Sequence, residues 1–300
     1  MLASATEEQT AELGAKVAEL LEKTDIIAST SSALEALVDP YPVPEEQQDK
    51  TPMTCASVIS LLQAQLVNEQ STEWKLTCIP RVFHSVPKPS AQQDGVEEDG
   101  NSDGNAGSPA KLQFPTIEVP GEINAGTKPL LPEIYFSLFA DQDIESVPST
   151  SHIAASLLRD AVVDTINILD FNRNIVAKFL NEIDCFWAKD TFVKRSTTFD
   201  KLRELQEGRP TWKPEDVIID AVFSQIFQLP QPEHRLVYYH SLITESCKIS
   251  PAAIAPSLGR AIRFLFRNID AMDMELSYRF MDWFAHHLSN FEFRWKWTEW

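Results

Sequence analysis

Between Pro148 and Pro210 the chain contains no proline, and its apolar residues return every three or four positions. Ala154, Leu157, Leu158, Ala161, Val162, Ile166 and Leu169 make one stripe, and Ile175, Phe179, Leu180, Ile183, Phe186 and Trp187 make another. That period is the buried face of an amphipathic helix, since a strand would alternate at every second residue. Pro214, followed by Glu215 and Asp216, marks the next helix start: proline at the first position loses no internal bond, and acids favour the positive end of the helix dipole. Ile218, Ala221, Val222, Ile226 and Leu229 form its apolar side, and Pro230 and Pro232 end it. Further helices are expected over 233–248, 256–269 and 272–289, joined by short turns. Ser250 and Pro251 read as a cap and first-position pair, but Pro256 lies too deep for an unbroken helix, so a kink or restart is expected there.

No segment before residue 290 alternates with period two over a strand's length. The expected fold is therefore all-α: an α-solenoid of stacked antiparallel helical hairpins of the HEAT/ARM kind, with a disordered acidic linker. The reading rests on helix order and turn length, because the hairpins share little sequence.

Charge divides the chain. Residues 1–150 hold 8 Lys and Arg against 24 Asp and Glu, whereas 151–300 hold 18 against 20, within a total of -18. Four of the nine glycines fall in 94–108, DGVEEDGNSDGNAGS, where Val96 is the only aliphatic residue besides Ala106. Such a stretch has too little apolar surface to offset the entropy of ordering its backbone. Three regions are expected: a small helical remnant over 1–83, a flexible acidic Gly/Pro-rich linker over 84–131, and a helical-repeat domain over 132–300. Within the first, Leu13, Val17, Leu20, Leu21 and Ile27 have helical spacing, as do Val58, Ile59, Leu62 and Leu66.

Several function classes recede. A chain this acidic is not held on a nucleic-acid backbone by bulk electrostatics, because counterion release needs clustered Lys and Arg. The cysteines at 55, 78, 185 and 247 form no CxxC pair, and no Asn-x-Ser/Thr sequon occurs, which fits reduced thiols. No apolar run approaches membrane-span length, so no membrane partner is expected. Phosphate-loop, dinucleotide, nucleophile-elbow and zinc-protease motifs are missing, so no cofactor, metal or catalytic residue is expected.

Three constellations remain. Asp282 and His286 stand four apart on one helix face beside His287, which reads either as a partial metal or acid-base site without a third ligand or as a surface pair at the core's edge. Arg260, Arg263 and Arg267 fall within about 60° on a helical wheel, opposite Leu258, Ile262, Leu265 and Ile269. They read as a docking ridge for RNA backbone or an acidic segment, or as a solvated face paired with Asp270, Asp273 or Glu275. Finally, FEFRWKWTEW places Phe291, Phe293, Trp295 and Trp297 in strand-like alternation with Glu292, Arg294 and Lys296. Arg294, Trp295 and Trp297 could stack bases, or the rings could pack between helices or against a partner.

The run from Phe223 to Trp300 resembles the central helical domain of the large subunit of the nuclear cap-binding complex, in its fungal form. The strings IFQLPQP, YRFMDWFAHHLSNF and FRWKWTEW carry the likeness, and LPEIYFSLFADQD at 131–143 is similar to the segment leading into that domain. The resemblance implies a scaffold related to the middle domain of translation initiation factor 4G. It also implies a small RRM-containing partner subunit that binds the 7-methylguanosine cap of capped RNA, RNA export and processing factors as further partners, and residence in the nucleus with shuttling to the cytoplasm. The family's cap-stacking aromatics lie in the small subunit, so none maps onto this chain. Because family members carry helical domains before and after this region, the resemblance further implies a fragment. Their basic nuclear-import signal has no counterpart here.

Overall fold

The computed structural model describes residues 7–29, 54–80, 133–140, 142–205, 208 and 210–299. Among these, the helices are α1 (Glu7–Ala28), α2 (Val58–Ser71), α3 (Ile153–Ile168), α4 (Arg173–Asn181), α5 (Phe199–Arg203), α6 (Pro214–Ile226), α7 (Leu236–Ile249), α8 (Pro251–Arg267) and α9 (Met274–Asn290). Consecutive helices pack on one another, α3 on α4, α6 on α7 and α7 on α8, which is the helical-repeat architecture expected. The linker expected over 84–131 lies outside the described residues.

Local chemistry explains the helix ends. The His152 ring accepts from the Ala154 amide to start α3, and the Asn172 side chain accepts from the Asn174 and Ile175 amides to start α4. The second predicted stripe is split, because α4 ends at Asn181 and Ile183–Phe186 continue as a tighter 3₁₀ turn. Helix α6 is the hub, packing against α3, α7, α8 and the second strand. Its core contacts include Phe223, whose ring meets Trp283 of α9 edge-on at 4.7 Å.

Burial of α6 extends to the acids of its first two turns. Glu215, Asp216 and Asp220 are all buried. Burying a carboxylate is costly unless it is paired and hydrogen-bonded, and each of these is, through at least one oxygen, with Glu215 Oε2 and Asp216 Oδ1 left unbonded. Glu215 meets Lys213 and the Ser196 amide, Asp216 pairs with Arg260, and Asp220 takes Arg159, the Ser137 hydroxyl and the Leu138 amide.

Three expectations need correction. First, there is a strand pair: β1 (Thr54–Ser57) runs antiparallel to β2 (Ile134–Ser137), with Thr54 opposite Ser137 and Ser57 opposite Ile134. Four residues are too few to display an alternation, and the pairing joins stretches far apart in sequence. Second, α8 runs unbroken through Pro256. The carbonyl that loses its donor belongs to Ala252, which is exposed with Pro256 on the solvent side, where water can satisfy it. Third, the segment after α9 is not a strand. The Phe291 and Phe293 amides both bond to Leu288 O, and left-handed Glu292 and Phe293 (φ 56° and 54°) turn the chain back before a 3₁₀ turn at Trp297–Glu299.

Residues 54–80 are bonded to stretches between 134 and 188. Beyond β1, Gln65 donates to Thr150 O at 2.7 Å and accepts from the Ser156 hydroxyl at 2.6 Å, and the Ala188 amide donates to Cys78 O. Accordingly α2 buries Gln63, Gln65 and Glu69, while Ile59 and Leu62 of its apolar stripe are exposed and Val58 and Leu66 only half-buried. Specific hydrogen bonds, including Thr24 of α1 to Gln63, fix this face.

Candidate partner-docking surface

Helix α8 buries Leu258, Ala261, Ile262 and Leu265. Its arginines then diverge. Arg260 turns inward to Asp216, with its guanidinium 4.6 Å from the Phe139 ring centroid and 4.0 Å from that of Phe199. Arg263 is half-buried: Nη1 donates to Gly259 O at 3.0 Å, and the guanidinium stands 5.5 Å from the Trp295 ring. Arg267 is exposed in the last turn. A shared sector of the wheel thus does not make a shared exposed ridge, because the buried carboxylate of Asp216 claims one of the three.

The turn after α9 brings the C-terminal aromatics to the same neighbourhood by different routes. Trp295 is half-buried, edge-on to Phe284 at 5.6 Å. Trp297 is half-exposed, and its Nε1 donates to Phe293 O at 3.3 Å. Arg294 is exposed and pairs with Glu292 at 2.7 Å. A cleft of about 500 Å³ between α8 and this turn has Leu258, Ile262, Phe291 and Trp295 on its walls and His287 and Arg294 at its polar side. Arg263, Arg294, Trp295 and Lys296 also border an adjoining shallow cleft, whereas Arg267 and Trp297 lie outside the lining of both. The assembled chemistry is an apolar floor beside cationic side chains, suited to a partner segment that combines an apolar anchor with acids.

The histidines are arranged for packing. His287 stacks on Trp283 at 5.4 Å and meets Phe291 at 4.7 Å, and His286 lies 5.4 Å from His240 of α7. Desolvation, with the charge of His286 adding to it, pushes His240 and His287 down to about 4, so both are neutral near pH 7. Asp282 is exposed and makes no ion pair with His286 among the described residues. No group of three His, Cys, Asp or Glu there could hold a metal ion.

Sequence reasoning missed Arg279. It is 4% exposed, and its guanidinium donates to Ile226 O (3.0 Å), Gln228 O (2.8 Å), Pro230 O (2.8 Å) and Glu275 (2.8 Å). It therefore holds the chain leaving α6, including the cis Leu229–Pro230 bond, against α9. The available signal was its place near the apolar sector of Leu276, Phe280 and Trp283.

The stacked helices define a helical-repeat protein. The chain belongs to the family described as MIF4G like, whose profile matches residues 148–300. It is 41% identical over 166 residues to nuclear cap-binding protein subunit 1 of Schizosaccharomyces pombe, covering 55% of this chain and 21% of that protein. It is 37% identical over 161 residues to nuclear cap-binding protein complex subunit 1 of Saccharomyces cerevisiae, covering 53% and 19%. Against the human nuclear cap-binding protein subunit 1 it is 42% identical over 83 residues, 28% of this chain and 10% of that one. The chain thus spans about a fifth or less of the length of these relatives.

Proposed function

We propose that this chain acts as a non-enzymatic scaffold in a nuclear mRNA cap-binding complex. In this reading it supports a small RRM-containing subunit that captures the 7-methylguanosine cap, and through that complex it serves splicing, export and nonsense-mediated decay. Its site of action is the nucleus, with shuttling to the cytoplasm. The observation that carries the reading is the 41% identity over 166 residues to the fission-yeast subunit, beside the family match over residues 148–300. Partner docking is assigned to Arg263, Arg294 and Trp295 at the α8 cleft, with Arg267 and Trp297 at its margin; Arg260 supports the surface from within through Asp216.

A cap pocket needs two rings held parallel at stacking distance around the cationic base. Trp295 is engaged edge-on with Phe284 and has Arg263 near its ring, which favours capture by the partner subunit rather than by this chain. Tryptophan quenching with 7-methylguanosine and unmethylated cap analogues tests this directly. The chain alone should not discriminate them, and methyl selectivity should appear only when the RRM subunit and a complete large subunit are present. Methyl-selective, saturable quenching by the chain alone, lost in Trp295→Ala or Trp297→Ala, would overturn the assignment.

A further inference from the structure

A second groove, of about 380 Å³, lies away from the arginines between α3, α4 and the segment before Pro80. Its walls include Leu157 and Ala161 of α3, Phe179 of α4, Phe186, Trp187 and Ile79. Phe179 and Phe186 stack at 6.1 Å yet remain 43% and 56% exposed. Ile168 and Phe171, at the α3–α4 turn, are more exposed still. Apolar surface clustered this way marks an interaction site more often than chance exposure.

The rim gives the occupant its chemistry. At about 100° per residue, Leu157, Ala161, Thr165 and Ile168 occupy one sector of α3, and Asp160 and Asp164 border that sector one turn apart. Both carboxylates are exposed, and neither has an ion-pair partner among the described residues. Although exposed, the Asp160 carboxylate is partly desolvated by its neighbours, which raises its pKa; the charge of Asp164 raises it further, while Arg159, committed to Asp220, only partly opposes this. On the α4 side, exposed Glu182 accompanies Lys178. An apolar trough edged by uncompensated acid repels a phosphate backbone and attracts a cationic segment.

We propose that this groove docks a basic amphipathic helix of another protein, whose apolar side chains fill the space beside Phe179 and Phe186 and whose Lys or Arg side chains meet Asp160 and Asp164. A helix fits because both walls run along helices, and anchors three or four residues apart on a partner would follow them. The inference stands independently of cap binding.

The test uses the whole chain and a fluorescein-labelled peptide of about four helical turns. The peptide carries Leu and Phe at every third or fourth position and Lys on both flanks; a second has Glu in place of every Lys. Fluorescence anisotropy should show saturable binding of the Lys peptide, weakened about tenfold or more by Phe186→Asp and by Asp160→Lys with Asp164→Lys, with circular dichroism unchanged. The Glu peptide should bind only the double-Lys variant. That exchange of preference is not something a misfolded surface could produce. Absence of saturable binding, or equal binding of both peptides to the unmodified chain, overturns the proposal. So does self-association in sedimentation that Phe186→Asp abolishes, which would make a second copy the occupant. Binding that emerges only after residues 81–132 are deleted would assign the groove to the chain's own segment and overturn it equally.

Discussion

Replacing Arg279 with Met removes the guanidinium and keeps most of the stem's volume. The structure supplies the magnitude. Three carbonyls, those of Ile226, Gln228 and Pro230, lose a charged donor. Hydrogen bonds to charged groups contribute about 1.5–3 kcal/mol each, and a buried acceptor left without a donor carries its desolvation penalty uncompensated. Ile226 O is bonded in a fully buried setting and counts in full, while the other two bonds are part-buried and reached by water after the change. The ion pair with Glu275 adds little, because that carboxylate is mostly exposed. The expected loss is about 4 kcal/mol, or roughly 10 °C in Tm for a body of this size. Urea denaturation followed by tryptophan fluorescence and far-ultraviolet circular dichroism measures it, with Glu275→Gln as a control expected to cost less than about 1 kcal/mol. If Arg279→Met shifted stability by no more than that control, the view that Arg279 holds the α6 exit in place would be refuted.

Stability should also fall with acid. His240 and His287 titrate near 4 when folded and near 6.5 when unfolded, so the unfolded chain binds their protons first; the stabilisation present above about pH 6.5 is lost down to about pH 4 and then levels off. The loss is about 3 kcal/mol for buried His240 and less for partly exposed His287, read as the difference in urea midpoint between the unmodified chain and His240→Gln from pH 7 to 4. Arg260→Glu sets a carboxylate against buried Asp216 and should cost about 3–5 kcal/mol, while Arg267→Glu should stay within about 0.5 kcal/mol; similar melting of the two variants would contradict the inward placement of Arg260. Asp216→Asn in the Arg260→Met background should restore part of the loss seen with Arg260→Met alone, a coupling that a double-mutant cycle reads directly.

Helix positions were largely legible because the long apolar stripes of α3 and α6 express a local period. What could not be read depends on partners far away in sequence. Arg260 and Arg263 share a wheel sector, but Asp216, on another helix, decides which is interior. The apolar residues of α2 pointed to the wrong face because hydroxyl groups of Thr24 and Ser156 and the carbonyls of Leu21 and Thr150 fix Gln63 and Gln65 inward. FEFRWKWTEW alternates like a strand, yet the Leu288 carbonyl captures two of its amides and turns it. Arg279 carried a readable signal, a cation near an apolar sector, without any indication that its acceptors would be backbone carbonyls. Of the candidate docking residues, the cleft unites Arg263, Arg294 and Trp295, a conjunction that required the α9 turn.

The pairing of Thr54–Ser57 with Ile134–Ser137 has a polymer consequence. It sets Thr54 beside Ser137, a ring closed by a contact between positions far apart in sequence, and the entropic cost of such a closure grows only with the logarithm of the separation. Doubling or halving a flexible ring changes the closure cost by about 0.6 kcal/mol, less than a typical core substitution.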